Sequence, residues 1–350
     1  MLNAILFNDT SYESHHGSQL VVRQIYHLAK KSGIRIVYAV PMRHDWRRDA
    51  RLKAKIVKAD LCIINGEGTI HDDNKATVVL MELGPFCHAS GVKCFLINSV
   101  WQRNIETISL AKHFTAIYLR DQFSYDTLAS QGVHSTVVPD LSLSIECPLP
   151  AQTERHGFLV DGSVFPDLEI QAWQAYNATK SVNDEKISYI SISAYPVLQT
   201  GKGAWRFFWS SLNKQRRSGL EFLMSRFKKF PEKLQSQDQI ASLNWKYAIL
   251  DYRKFMKKLA ASQGVITGRF HCAALCLLSE TPTFSISSNT HKIESLFEEA
   301  GLSPKRIFSS YEEAILQRQS ISFSPEEIKS LRFFMSNCKN RATAMFDEIV

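Results

Sequence analysis

Apolar runs of strand length alternate with amphipathic runs of helix length from the first residues onward. NAILFND, IRIVYAV, DLCIING, KCFLINS, AIYLRD and STVVPD read as buried strands, and between most of them lie helical stretches: SQLVVRQIYHLAKKSG, ATVVLMELGPFCHASG, NIETISLAKHF and SYDTLASQG. Gly33, Gly91 and Gly132 close three of these stretches, where a glycine after the last turn ends a helix before the next strand. Nearly continuous apolar strands joined by helices predict a parallel sheet covered on both faces. The segment CPLPAQTERHG, 147–157, interrupts the pattern with proline and polar residues and marks a boundary. Alternation resumes with GFLVDGS and ISYISIS, passes a long basic and aromatic stretch from Gly201, and returns as YAILDYRKFMKKLAASQG, VITGRFH, TPTFSIS and KRIFSS. A Ser-Pro-Glu-Glu cap then opens one long C-terminal helix. The fold class predicted is α/β, with two Rossmann-like doubly wound domains facing a cleft. They span 1–147 and 156–322, with a helix over 323–350 placed to cross back to the first.

Composition narrows the class. At 350 residues, 45% hydrophobic and 22% charged, the chain suits two globular domains, and no segment approaches the roughly 18 uninterrupted apolar residues that span a bilayer. MLNAILFNDTSYE has neither a basic n-region nor a small-residue cleavage site, so it reads as a first strand, and a cytoplasmic protein is expected. The seven cysteines are odd in number and lack a CxxC pair, which suits reduced, buried side chains and not a zinc site. A formal net charge of +8 favours an anionic partner such as a phosphorylated small molecule, a nucleotide or the inner face of a membrane. A solvated basic surface explains that charge equally well. The basic clusters at 43–55, 214–219 and 226–233 carry no nucleic-acid motif, so no nucleic-acid partner is expected.

Ligands of open parallel sheets sit at the carboxyl ends of strands, where helix N-termini present free N–H groups. The first strand runs into SHHGSQL, where Gly17 and Ser18 open a helix beside His15 and His16; an anion site and an ordinary serine cap both fit. The third ends in NGEGTIHDD, which gathers Glu67, His71, Asp72 and Asp73 in one loop between and after two glycines. The fifth ends in Arg120-Asp121 with Ser124 three residues on, a local ion pair with a cap or part of a site. Asp140 follows the sixth, as a cap or a domain-interface residue. In VITGRFHCAALC, Gly268 ends a strand and Arg269 and His271 occupy the first turn of a helix. Cations there oppose the helix dipole, so stability does not ask for them, whereas a carboxylate or phosphate would use both the guanidinium fork and the free N–H groups.

Taken in order, HGSQL, GEGTIHD, RDQFS, the VPD of Asp140, GRFH, a proline before a strand and the lysine of SSNTHKIESL resemble the polysaccharide pyruvyl transferase family over roughly residues 8–302. GRFH followed by CAALCLLSETPTFSI is the most distinctive part of the match. The resemblance implies a GT-B-like fold and transfer of the pyruvyl group of phosphoenolpyruvate onto two hydroxyls of a cell-surface polysaccharide or its precursor. Carried over by position, Arg120 and Arg269 hold the donor and Lys292 neutralises its phosphate, and the strand ends add Gly17, Ser18 and Gly268 beside them. His271 is the acid that protonates the methylene carbon, and Glu67 or Asp72 takes the hydroxyl proton. Apart from the resemblance, the loop and insert positions His71, Asp140 and Trp205 are expected on the acceptor side. Neither a metal nor a cofactor is required, the donor being a substrate.

Two departures qualify that picture. Gly66-Glu67-Gly68 puts a carboxylate where the family has a third glycine, which an inverting glycosyl transfer from a nucleotide-activated sugar would use as base. The aromatic and basic insert around Trp205–Phe230 has no counterpart in the family pattern. It suits a sugar-stacking platform, a membrane-surface patch for a lipid-linked acceptor, or an ordinary amphipathic helix.

Overall fold

The computed structural model describes residues 1–11, 15–147, 154–180, 187–193, 252–287 and 290–350. Trp205 and the aromatic and basic insert lie outside these residues.

In the first half, β1 (Leu2–Asp9), β2 (Ile34–Pro41), β3 (Leu61–Glu67), β4 (Lys93–Ser99), β5 (Ala116–Leu119) and β6 (Thr136–Val137) pair in parallel in the order β2-β1-β3-β4-β5-β6. The second half pairs β7 (Phe158–Ser163), β8 (Ile187–Ile190), β9 (Gly264–Gly268), β10 (Thr283–Ile286) and β11 (Ile307–Phe308) in the order β11-β10-β9-β7-β8, again in parallel. Counted within its own half, the first sheet runs 2-1-3-4-5-6 and the second 2-1-3-4-5. The winding therefore reverses between the first and third strands of each half, and the crevice at such a switch point is where doubly wound sheets bind ligands. Register places the crevices: Phe7 lies opposite Ile64, so Asn8 to Thr10 emerge beside Asn65 to Glu67, and Ser163 lies opposite Gly268.

Period-two alternation divides each strand between two cores. On β1, Ile5 and Phe7 pack with Trp46, Leu52, Met81 and Trp101, while Ala4 and Leu6 pack with Val21 and Ile25 of α1 (His16–Lys31). Gly33, Gly91 and Gly132 adopt φ of 78°, 69° and 74°, the left-handed conformation that stops a helix. The C-terminal helix, Pro325–Ile349, begins with a complete capping box between Ser324 and Glu327. Leu331, Phe334 and Cys338 join the core of the second half, and Ala342, Met345, Phe346 and Ile349 join that of the first.

Two helices differ from the sequence pattern. The run from Ala76 to Gly91 breaks into α3 (Lys75–Met81) and α4 (Leu83–Ala89), because Pro85 has no N–H to offer the Met81 carbonyl. The stretch NIETISLAKHF forms a helix over Ile108–Ala111 alone. Asp73 accepts from the N–H groups of Ile105, Glu106 and Thr107 at 2.6, 2.7 and 3.1 Å, which caps the start of that helix late.

Candidate active site

The second half contributes the residues after β9. Gly268 is small because the Tyr311 hydroxyl lies 2.7 Å from where a Cβ would stand. Arg269 caps the helix Phe270–Leu278, its own N–H donating to Thr267 Oγ1 at 3.0 Å. Its buried guanidinium reaches Glu169, with Nη2 3.4 Å from Oε2. Glu169 in turn accepts from the Ser163 N–H and the Tyr189 hydroxyl, each at 2.7 Å. Gly162 makes room for it, since a Cβ there would lie 1.7 Å from Glu169 Oε2. Asp161 accepts from the Ile192 N–H and the Thr267 hydroxyl, and burial, opposed by Arg269, raises its pKa to about 6. The strand-end reading passed over Glu169 and Asp161. The signal available was an aspartate followed by glycine inside an apolar strand.

His271 faces Asp140, Nε2 to Oδ2 being 3.8 Å. Asp140 accepts from Arg120 Nη1 at 3.0 Å and from the Ser142 N–H and hydroxyl at 2.9 and 2.6 Å. Burial pushes the Asp140 pKa up, but His271 and Arg120 outweigh it and hold the carboxyl below its ordinary value. Asp140 is 1% exposed and links Arg120 to His271. Arg120 stacks over the Phe270 ring at 4.4 Å. Lys292, the first residue of the helix Lys292–Glu299, lines a pocket with Arg120, Asp140 and Phe270. His291, just before it, is held by Asp121 at 2.8 Å, so the start of that helix is tied to the first half.

The electrostatics follow from this crowding of cations. Burial first, then Arg120 and Lys292, lower the His271 pKa to about 4, with Asp140 opposing them. Burial and then Arg120 bring Lys292 down to about 7, Asp140 again opposing. Arg120 Nε, Arg269 Nε and His271 Nε2 are buried without a hydrogen-bond partner among the described residues. An unsatisfied buried polar group costs on the order of 1–3 kcal/mol, so the two guanidinium N–H groups, which can only donate, point to a ligand that accepts hydrogen bonds.

From the first half, the start of α1 meets this group directly: a Cβ on Gly17 would lie 2.2 Å from His271 Cγ, and the His15 and His271 rings are 5.2 Å apart. Glu67 closes β3 with φ of 44°, a conformation that costs a non-glycine residue energy and is kept where surroundings impose it. Its Oε1 accepts from Thr10 Oγ1 at 2.6 Å and Asn65 Nδ2 at 2.9 Å, and its Oε2 from Ser18 Oγ at 3.4 Å. Glu67 thus adjoins the helix start that touches His271. Asp72 does not share this arrangement. Arg103 clamps both its oxygens, His71 Nδ1 lies 2.6 Å away, and Arg103 first and His71 second hold its carboxyl well below the usual range. A carboxylate so held is a poor base, and His71 is committed to the same surface cluster.

Two parallel sheets with the same reversal of winding, with cations and an imidazole gathered between the carboxyl ends of their strands, make a GT-B-like enzyme architecture with a cationic cleft. The same fold is found in a Listeria monocytogenes protein assigned as a UDP-N-acetylglucosamine 2-epimerase, 8% identical with a TM-score of 0.59 over 99% of this chain and 95% of that one. It is found too in the UDP-GlcNAc 2-epimerase of Neisseria meningitidis bound to UDP-GlcNAc, 8% identical with a TM-score of 0.51 over 100% and 99% of the two chains. No curated protein sequence matches the chain. Residues 15–290 match the sequence profile of the polysaccharide pyruvyl transferases, and the chain belongs to that family of transferases.

Proposed function

We propose that the protein transfers the pyruvyl group of phosphoenolpyruvate to two hydroxyls of a cell-surface polysaccharide or its precursor, closing a cyclic ketal. The observation that carries this reading is the set of buried, unpartnered nitrogens on Arg120, Arg269 and His271, with Lys292 beside them. A small, multiply charged anion supplies the acceptors they lack.

The same anion sets the chemistry. The enol phosphate presents an electrophilic carbon only once its methylene carbon is protonated, and His271 with a pKa of about 4 is neutral at pH 7. A bound dianion reverses the effect of the neighbouring cations and favours the imidazolium. His271 then gives its proton to the methylene carbon, and the first sugar hydroxyl attacks the oxocarbenium-like centre. Glu67, reached through Ser18, takes that hydroxyl's proton. Phosphate leaves with the electrons of its C–O bond, its charge offset by Lys292, and the second hydroxyl closes the ring. The proton on Glu67 passes to the departing phosphate, and the second hydroxyl's proton restores His271. The donor sits between the halves, and the acceptor approaches the carboxyl end of β3 in the first; a lipid-linked acceptor would place the work at the inner face of a membrane.

Thermal denaturation with phosphoenolpyruvate and with a panel of nucleotides and nucleotide sugars tests the donor, since a ligand that binds only the native state raises the melting point. Stabilisation by phosphoenolpyruvate, lost in Arg269→Ala, is expected. Stabilisation by a nucleotide sugar alone would replace the donor and make Glu67 the base of a glycosyl transfer.

A further inference from the structure

The mechanism above leaves unused an imidazole that lies against its reacting residue. His15 meets His271 edge to face, with ring centroids 5.2 Å apart. Both halves fix its backbone: residue 15 bridges Ser193, and the next N–H donates to the Ile192 carbonyl at 3.1 Å. The following ring, His16, stacks on Phe255 at 4.5 Å.

The tautomer of His15 follows from its place as the cap of α1. Its Nδ1 accepts from the Ser18 backbone N–H at 3.3 Å. An amide N–H is only a donor, so Nδ1 must present its lone pair and the ring proton resides on Nε2. Protonating Nδ1 would break the cap and set a cation among others. Burial first, then His271, Arg269, His16 and Lys292, hold its pKa well below the ordinary histidine value.

We propose that His15 is a further donor-binding residue, whose Nε2–H, fixed by the α1 cap, hydrogen-bonds a phosphoryl or carboxylate oxygen of the anion held between Arg269, His271 and Lys292. Independent evidence that an anion belongs there is the unpartnered Nε of Arg120 and of Arg269, residues 5% and 8% exposed. A neutral imidazole suits the position. It adds a donor without a second positive charge, and so does not oppose the protonation that His271 needs. The inference rests on the reading that this cleft takes phosphoenolpyruvate.

The test combines calorimetry with nitrogen NMR of the ring. Asparagine is a favoured cap residue, so His15→Asn keeps the helix start and removes the ring. We expect it to melt with the wild type and to bind phosphoenolpyruvate roughly 10- to 100-fold more weakly, as for one lost hydrogen bond to a charged group. In the wild type, the His15 spectrum should show a proton on Nε2 alone at neutral pH, and this resonance should shift when phosphoenolpyruvate is added. Wild-type affinity in His15→Asn, a proton on Nδ1, or an Nε2 signal that ignores the ligand would overturn the proposal. The spectrum needs no variant and decides even if His15→Asn fails to fold. Wild-type protein that does not bind phosphoenolpyruvate at all would instead overturn the underlying donor reading.

Discussion

His271 carries a chemical contradiction that its neighbours explain. As an acid it must be protonated, yet burial, Arg120 and Lys292 keep its pKa at about 4. Between an unfolded value near 6.5 and the folded value of about 4, the empty native protein binds fewer protons than the unfolded chain, so His271 makes it lose stability as pH falls through that window. A bound dianion raises the folded value and turns binding into proton uptake. Calorimetry in buffers of different ionisation heat should show up to one proton taken up per phosphoenolpyruvate near pH 5.5. His271→Asn should lose that uptake, and the difference between the two proteins separates the histidine from the titration of the phosphate itself. Equal uptake in both would dismiss His271 as the acid.

At the scale of elements, the site depends on how closely two helix starts approach. Position 17 abuts the His271 ring, so any side chain there must push α1 away from the helix Phe270–Leu278. Gly17→Ala should cut turnover about 100-fold, the penalty expected of a displacement near 1 Å at a reacting group. Gly68 provides the control, because no described residue lies within 4 Å of its Cβ position and its φ is not left-handed. Gly68→Ala should keep its stability within about 0.5 kcal/mol of wild type, measured by urea unfolding. Equal turnover in the two variants would remove the claim that this approach is required. The glycine itself was visible as a helix opener, but its reason was not, since the ring it accommodates comes from the other half of the chain.

Across the whole molecule, the C-terminal helix ties the two sheets together: Phe334 is buried with the second half and Phe346 with the first. Phe346 is fully buried, so Phe346→Ala should cost about 3–5 kcal/mol in urea unfolding. A loss under 1 kcal/mol would mean that the helix end is not part of the cooperative core. The alternation of strands and helices, the stopping glycines and the Ser-Pro-Glu-Glu cap were legible in the sequence because they follow from side-chain periodicity and backbone sterics, which act over a few residues. The resemblance likewise marked Arg120, Arg269, His271 and Lys292, each set in a local motif. Only the tertiary structure decided which charges meet. Glu67 and Asp72 stand five residues apart, yet Arg103, brought in from beyond β4, clamps one while Ser18 of α1 reaches the other. Asp140 lies between Arg120 and His271, a meeting its place after a strand does not show. Glu169, Asp161 and His15 gain their roles from groups far along the chain. Burial and the proximity of charge set the protonation of these groups, and neither exists until the two sheets have closed on each other.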